Sequence, residues 1–361
     1  MESFCASPAP GRNLGLLSTN RFKINRTREK MKSGLLALLT ALAAQNVAGH
    51  ALFQQLWVDG EDYISPAPLL YLSLTLTCAR VPMSNNPVTN VAGADIRCNA
   101  GGARGVGAKC PVKAGGTVTV EMHQQPGDRS CGQEAIGGAH YGPVMVYLSK
   151  VDDAQTADGS AEFFKIFQNG WKSAGAVGDG DAWGVKDMNA CCGKVDVPIP
   201  QDIPDGDYLL RAEVVALHAM PAQLYMTCYQ ITVEGGTGTA VPAGVKFPGA
   251  YSAADPGLTA NIHAAMSGYT VPGPAVIPGG LEVEAGTGCS AGCQKTCVAG
   301  DKPAVQLEVT NPPASAGGAA GAGSCEVAKY QQCGGQGYTG CTNCAAGSRC
   351  DTSNQYYQQC V

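Results

Sequence analysis

The pattern of hydrophobic and polar residues between position 50 and about position 235 predicts β-strands. Residues 117–123 alternate apolar and polar side chains with a period of two, which is typical of a half-buried strand. Similar runs, separated by turns rich in Gly, Pro, Asn and Asp, occupy residues 144–151, 208–217 and 224–233. Residues 161–167 fit either a short turn or a strand, and few helical patterns compete. The pattern predicts an all-β chain, folded as an immunoglobulin or fibronectin III-like β-sandwich.

The pattern changes after residue 235. Residues 236–282 are rich in Gly, Pro and Ala but keep scattered large apolar residues, which predicts an irregular tail packed on the sandwich, within one domain of residues 50–282. Residues 283–324 shift to Gly, Ala, Ser, Thr and Pro, a composition that predicts a flexible linker. The last unit, residues 325–361, contains six cysteines and is small enough to need disulfide bonds for its stability.

The N-terminal pattern predicts a secretion signal. Residues 31–49 have a short basic start, an apolar middle and small residues at the end. Because Met31 begins a complete signal, we interpret residues 1–30 as a doubtful extension from the gene model. Cleavage after Gly49 would leave His50 at the mature N-terminus, with its α-amine and its ring both free to bind a metal. The alternative is that cleavage falls a residue or two away and that His50 is incidental.

Composition narrows the class of protein. A length of 361 residues allows about two domains. The net charge of −5 gives no basic footprint for nucleic acid, and no apolar run outside the signal is long enough for a membrane span. Of the 17 cysteines, Cys5 precedes the signal, and the even remainder fits a disulfide framework in an oxidising compartment. We therefore expect a secreted, extracellular protein.

The five histidines make the search for metal ligands short. His140 lies among glycines and a proline at the mouth of a predicted strand. Alone, a histidine at a strand end is more often structural. Paired with a mature N-terminal His50, it completes a set of one amine and two ring nitrogens, and nitrogen-rich planar coordination suits Cu(II).

Five stretches of the chain resemble the fungal lytic polysaccharide monooxygenases of auxiliary activity family nine, formerly grouped with glycoside hydrolases. They are residues 50–60, 125–131, 140–144, 207–218 and 223–228. The resemblance implies that His50 binds copper through its amine and one ring nitrogen, and that His140 binds through its ring. It implies that Tyr225 is the axial tyrosine near the metal. It further implies that Gln223 and His218 are outer-sphere hydrogen-bonding groups.

The implied chemistry is oxidative cleavage of the β-1,4-glucan chains of cellulose at C1 or C4, with O2 or H2O2 and an electron donor. Alternation along the strand places Gln223 and Tyr225 on one face and Cys228 on the other, and the resemblance implies a disulfide from Cys228 to Cys98. The partners of the other cysteines of this domain stay open, although two are adjacent in sequence and are not expected to bond each other. The remaining histidines, His123 and His263, are interpreted as structural or surface residues.

Two segments depart from the family pattern. Residues 64–75 form an apolar stretch that the family lacks, and it reads either as translated intron sequence or as a true insertion that exposes an apolar patch. Residues 218–223 form a shorter loop than the family usually has, which puts the placement of His218 in question.

The C-terminal unit resembles the fungal family one carbohydrate-binding module. The resemblance implies a flat aromatic face that stacks on glucose rings and amide side chains that bond sugar hydroxyls, together with three disulfides. The aromatic residues are Tyr330, Tyr356 and Tyr357; the amides are Gln332, Asn354 and Gln359; the disulfides are Cys333–Cys350, Cys344–Cys360 and Cys325–Cys341. Crystalline cellulose and a small-molecule or protein electron donor are the expected partners of a monomeric enzyme.

Two other functions compete with this interpretation. A glycoside hydrolase needs two carboxylates across a cleft, and the candidates Asp153, Glu162 and Glu213 show no supporting arrangement in the sequence. A non-catalytic protein that binds or loosens cellulose is the second alternative, and it requires that the mature chain does not start at His50 or that copper does not bind. The sequence leaves open the choice between C1 and C4, activity on hemicelluloses and the natural electron donor.

Overall fold

The computed structural model describes residues 50–63, 77–175, 177–289, 326–327, 332–334, 341–351 and 358–360. The doubtful extension, the signal and the 64–75 insertion lie outside the described residues, as do residues 290–324 of the predicted linker. Among the residues that the structure does describe, no helix has the length and apolar character that a membrane crossing requires.

Two β-sheets form the described part of the larger domain. Their strands are β1 (Leu52–Val58), β2 (Glu61–Asp62), β3 (Ala79–Arg80), β4 (Cys110–Lys113), β5 (Thr117–His123), β6 (Val144–Lys150), β7 (Phe164–Asn169), β10 (Lys194–Pro198), β11 (Gly206–Ala216), β12 (Gln223–Glu234) and β13 (Val276–Val283). The four-stranded sheet has the order β10-β5-β1-β2. The seven-stranded sheet has the order β13-β7-β6-β11-β12-β3, with β4 pairing parallel to β12. A ribbon of β8 (Trp171–Lys172) and β9 (Ala182–Trp183) precedes a short helix, α1 (Gly184–Ala190). The predicted all-β sandwich is confirmed.

Alternation along the central strands feeds two apolar cores. Val144 and Val146 of β6 belong to the core between the sheets, whereas Met145 and Tyr147 belong to a second core on the other face. Residues of the tail complete this second core, among them Phe247, Tyr251, Leu258 and Ile262, all almost fully buried. The tail therefore packs on the sandwich, as its scattered large apolar residues predict.

The ordered tail continues beyond the domain boundary that composition places at residue 282. Strand β13 runs to Val283, and Cys289 is bonded to Cys191 beside α1. The carboxylate of Asp187 accepts hydrogen bonds from the backbone nitrogens of Gly286 and Gly288 at 3.0 and 2.8 Å. The start of the linker at residue 283 is therefore wrong, because a disulfide and a buried carboxylate hold residues 283–289 to the sandwich.

Among the described residues of the larger domain, four disulfides cross-link the chain. They join Cys78 to Cys110, Cys98 to Cys228, Cys131 to Cys192 and Cys191 to Cys289. The second of these is the bridge that the resemblance implies. Cys191 and Cys192 are adjacent in sequence but bond different partners. Cys192 holds the loop that leads towards His140, and Cys191 holds the end of the tail.

The C-terminal unit contains a small antiparallel sheet of the order β14-β16-β15, built from β14 (Gln332–Gly334), β15 (Cys350–Asp351) and β16 (Gln358–Cys360). Disulfides join Cys333 to Cys350 and Cys344 to Cys360, as the resemblance implies. Cys341 is also disulfide-bonded, and Cys325 lies outside the described residues. So do Tyr330, Asn354, Tyr356, Tyr357 and the side chains of Gln332 and Gln359.

Candidate metal centre

The pairing of three strands brings distant residues to one edge of the larger sheet. Val214 of β11 lies opposite Tyr225 of β12 and also opposite Val144 at the start of β6. His140 precedes β6 and His218 follows β11, so both belong to the loops at this edge. The register of the sheet therefore gathers residues that are far apart in the chain.

His50 reaches the same edge from the other sheet. It lies two residues before the first residue of β1, and β1 is fixed to β12 by two side-chain hydrogen bonds across the core. Thr227 donates its hydroxyl to the carbonyl oxygen of Phe53 at 2.8 Å, and Tyr229 donates to that of Gln55 at 3.0 Å. These contacts anchor the strand that presents His50.

Three imidazoles and one phenol converge at this edge. The ring centroids of His140 and His218 lie 3.9 Å apart, and those of His140 and Tyr225 lie 5.8 Å apart. The ring of His50 lies 6.5 Å from that of Tyr225. The structure thus brings together the residues that the sequence proposes as ligands, and it places His218 beside them despite the shortened loop.

Gln223 connects two members of this group. Its side-chain oxygen Oε1 accepts a hydrogen bond from the hydroxyl of Tyr225 at 2.8 Å and lies 3.1 Å from Nε2 of His140. Because Oε1 can only accept, the contact with His140 assigns the proton of that ring to Nε2. A metal bound at Nε2 would take the place of this proton.

Burial keeps the imidazoles neutral. It lowers the pKa of His50. Burial, followed by the neighbouring ring of His218, lowers the pKa of His140 to about 4. The pKa of His218 is lowered by burial first and then by His263 and His50. Burial also raises the pKa of the Tyr225 phenol, which therefore keeps its proton.

The donor set fits a metal that prefers nitrogen. Neutral imidazoles retain the lone pair that a metal needs, and copper is among the ions that imidazole suits. Nδ1 of His218 is a buried nitrogen without a hydrogen-bond partner among the described residues. In the chain as written, the backbone nitrogen of His50 is part of a peptide bond, and it becomes an amine only when the chain is cut after Gly49.

A network of buried charges supports β1 from the side of β5. Glu121 accepts hydrogen bonds from Nε1 of Trp57 at 2.7 Å and from Arg129 at 3.1 and 2.7 Å, and it lies 2.8 Å from Nε2 of His123. Arg129 also pairs with Asp62 in β2, the strand that follows β1. The interpretation of His123 as a structural residue agrees with this position.

The carboxylates that a glycoside hydrolase would need lie apart from this edge or are already paired. Glu213 is fully buried and forms a bidentate pair with Arg211 at 2.7 and 2.8 Å. Asp153 and Glu162 both lie in the connection between β6 and β7, where Asp153 is 3.7 Å from Lys109 and Glu162 is exposed. These three described carboxylates therefore do not form the pair across a cleft that a glycoside hydrolase needs.

Comparison with known proteins identifies the family. The model of Auxiliary Activity family 9 (formerly GH61) matches residues 50–269. The chain belongs to Auxiliary Activity family 9. A model of the fungal cellulose binding domain also matches, over residues 329–357. The predicted order of a family 9 domain followed by a cellulose-binding module is therefore confirmed at the level of families.

Relatives of this family 9 protein match it over most of its length. It is 58% identical over 341 residues to "AA9 family lytic polysaccharide monooxygenase B" of Podospora anserina, covering 92% of this chain and 100% of the relative. It is 56% identical over 355 residues to "AA9 family lytic polysaccharide monooxygenase J" of Neurospora crassa, with 92% and 99% covered.

Solved structures of the family share the fold. The extended catalytic domain of H. jecorina LPMO9A aligns with a TM-score of 0.57 at 26% identity, covering 72% of this chain and 100% of that one. HiLPMO9B aligns with a TM-score of 0.54 at 32% identity, covering 64% and 100%.

One contact at the site escaped the sequence interpretation of this family 9 chain. His263, interpreted as a structural or surface residue, lies 3.0 Å from the backbone carbonyl oxygen of His218 through its Nε2. The two residues are 45 positions apart, and neither belongs to a strand whose pattern could have paired them. The sequence therefore carried no local signal for this contact.

Proposed function

We propose that the processed protein is a secreted, copper-dependent lytic polysaccharide monooxygenase. It cleaves the β-1,4-glucan chains of cellulose oxidatively at C1, C4 or both, using O2 or H2O2 and an electron donor. The observation that carries this proposal is the convergence of His50, His140 and Tyr225 at one edge of the sandwich. Family membership and the names of the relatives support it.

In this proposal His50 and His140 hold the metal, and the amine that cleavage creates on His50 is the third nitrogen. Tyr225 would lie beside the metal, and its buried, protonated phenol would make a weak ligand. Bound copper supplies the one-electron redox chemistry by which O2 or H2O2 oxidises a C–H bond of the sugar. Nitrogen-rich tetragonal coordination suits Cu(II).

Two further side chains position the reactants. Gln223 accepts hydrogen bonds from the Tyr225 hydroxyl and from Nε2 of His140 at the same oxygen, Oε1. His218 places its ring against that of His140, and its unpaired Nδ1 is available to hold a proton beside the ligands. Groups around a metal act in this way, by orienting its ligands and setting the polarity of its surroundings.

The C-terminal module supports cellulose as the substrate. A fungal cellulose binding domain matches this part of the chain, and Tyr330, Tyr356 and Tyr357 are proposed to stack on the glucose rings. Gln332, Asn354 and Gln359 are proposed to bond the sugar hydroxyls. The module would hold the enzyme on crystalline cellulose while the family 9 domain acts on the same surface.

The experiment that tests the proposal starts from the secreted protein. Intact mass and N-terminal sequencing should give a chain that begins at His50, and metal analysis should give one copper per chain. With a reductant, this protein should release oxidised oligosaccharides from cellulose, and a copper chelator should abolish the release. Hydrolysis products that persist under chelation would contradict the proposal and favour a glycoside hydrolase.

A further inference from the structure

His263 faces the backbone of His218 from a separate loop. Its Nε2 lies 3.0 Å from the carbonyl oxygen of His218, so the ring donates a hydrogen bond through this nitrogen. On the other side of the ring, Nδ1 lies 3.7 Å from a carboxylate oxygen of Asp179. The ring of His263 thus lies between a carboxylate and the backbone of His218, whose own ring is close to that of His140.

The backbone fixes His263 although its side chain is exposed. The nitrogen of Asp179 donates to the carbonyl of Ile262 at 2.6 Å, and that of Gly178 donates to the carbonyl of Ala264 at 2.8 Å. Ile262 is fully buried, and the nitrogen of His263 itself donates to the side chain of Asn261 at 3.0 Å. Two loops are therefore joined on both sides of His263, which places its ring without any need for burial.

The loop that carries His218 is anchored at both ends by backbone hydrogen bonds. Leu217 makes a backbone hydrogen bond to Tyr141 at 2.9 Å, and Leu224 makes two with Val88 at 2.8 and 2.9 Å. Between these anchors the chain turns in a few residues, and Met220 at its tip is 55% exposed. The contact with His263 holds the carbonyl of His218 inside this turn, next to the ring that lies 3.9 Å from His140.

We infer that His263 is a positioning residue, which fixes the His218 ring against His140 through the hydrogen bond to the His218 carbonyl, with Asp179 orienting its imidazole. The 3.0 Å contact with the carbonyl oxygen requires a donor at Nε2, and Asp179 lies on the other side of the ring, 3.7 Å from Nδ1. The consequence for catalysis rests on the proposed function, whereas the position of the His218 ring does not.

Substituting His263 by leucine or by glutamine distinguishes the effect of the hydrogen bond from the effect of having a side chain of similar size at this position. Leucine removes the donor, whereas the amide nitrogen of glutamine can still reach the carbonyl. Met220→Ala is the matched control, because it alters an exposed side chain of the same loop and leaves the imidazole of His263 in place. In metal-free protein, NMR of the histidine rings should show shifted signals for His218 and His140 in His263→Leu and near-native signals in His263→Gln and Met220→Ala.

Turnover gives the second measurement. With copper bound, His263→Leu should lower the rate of cellulose oxidation about tenfold, the lower end of what outer-shell changes around metals cost. Copper affinity should stay unchanged, because the proposed ligands are intact, and His263→Gln should restore most of the rate. If His263→Leu fails to fold, Asp179→Asn takes its place and should shift the same His218 signals by a smaller amount.

Three results would overturn the inference. They are unchanged His218 signals in His263→Leu, a glutamine variant that behaves like the leucine variant, and a Met220→Ala control that shifts the signals equally. If the unsubstituted, processed protein binds no copper and oxidises no cellulose, the proposed function fails instead. The NMR comparison on metal-free protein still decides the positioning of His218 in that case.

Discussion

The hydroxyl of Tyr225 donates a 2.8 Å hydrogen bond to Oε1 of Gln223, two residues earlier on the same face of β12. The same oxygen lies 3.1 Å from Nε2 of His140, so Gln223 connects Tyr225 to a proposed ligand. A residue at this point can change the chemistry of the site while leaving the fold intact.

Gln223→Leu should lower the rate of cellulose oxidation by about 10- to 100-fold, because it removes the group that orients both neighbours. Copper affinity should change less than the rate, since neither proposed ligand is replaced. Rates with saturating reductant and calorimetric copper titrations measure the two effects. Gln201→Ala, an exposed glutamine between β10 and β11, is the control. A Gln223→Leu variant with a native rate would contradict this role.

Acid should destabilise the protein through Glu121. Burial works against its charge, but hydrogen bonds from His123 and Arg129 and the charge of Arg129 outweigh this and hold its pKa at about 2, below the usual 4.5. A depressed pKa stabilises the fold above pH 4.5 and loses this contribution as the pH falls towards 2. At about 1.4 kcal/mol per pKa unit, the loss is on the order of 3 kcal/mol.

Glu121→Gln tests this prediction. Chemical denaturation between pH 2 and pH 7 should show a lower free energy of unfolding for the variant at pH 7, because Arg129 loses the charge of its buried partner. The variant should also show a flatter dependence on pH below 4.5 than the unsubstituted protein. Parallel curves for the two proteins would show that Glu121 is not the group responsible.

The bridge from Cys191 to Cys289 should hold the end of the tail on the sandwich. Replacing both cysteines by serine should lower the free energy of unfolding by about 2–4 kcal/mol, the usual contribution of a disulfide. It should also open residues 283–289 to proteases. Thermal unfolding and limited proteolysis followed by mass spectrometry measure these effects. Unchanged melting and cleavage would mean that Asp187 and β13 suffice to hold the tail.

The tyrosines of the C-terminal module should carry its affinity for cellulose. Replacing Tyr330, Tyr356 or Tyr357 by alanine should each weaken binding by about 2 kcal/mol, or roughly 30-fold, as expected for an aromatic anchor. Tyr338→Ala, in the same module but outside the proposed face, is the matched control. Depletion from solution by microcrystalline cellulose measures the binding. Equal losses for Tyr338 and the three tyrosines would contradict a specific aromatic face.

The sequence was sufficient for the strands but not for their placement. Alternation located β5, β6, β11 and β12, although both faces of these strands are buried and alternate residues of β6 belong to two different apolar cores. Alternation also put Gln223 and Tyr225 on one face of β12. It could not give the register that brings His140 to β12, since pairing between distant strands leaves no local trace.

The ligand set came from the resemblance and from the predicted cut after Gly49, not from periodicity. The contact of His263 with His218 depends on two loops joined by backbone hydrogen bonds, which composition does not encode. The start of the linker was placed too early for the same reason, because composition does not encode tertiary contacts. Residues 283–289 look like linker, but the bond from Cys289, the acceptor Asp187 and an ion pair between Lys172 and Glu284 hold them in place.

The central claim is that the metal site is completed by the free amine of His50. The measurement that tests it most directly is the copper affinity of two forms of the protein, one that begins at His50 and one that retains Gly49. The processed form should bind one Cu(II) per chain, and His140→Ala should abolish this binding. The form with Gly49 should bind more than about 100-fold more weakly, since even outer-shell changes cost about 10- to 100-fold. Equal affinities for the two forms would contradict the account.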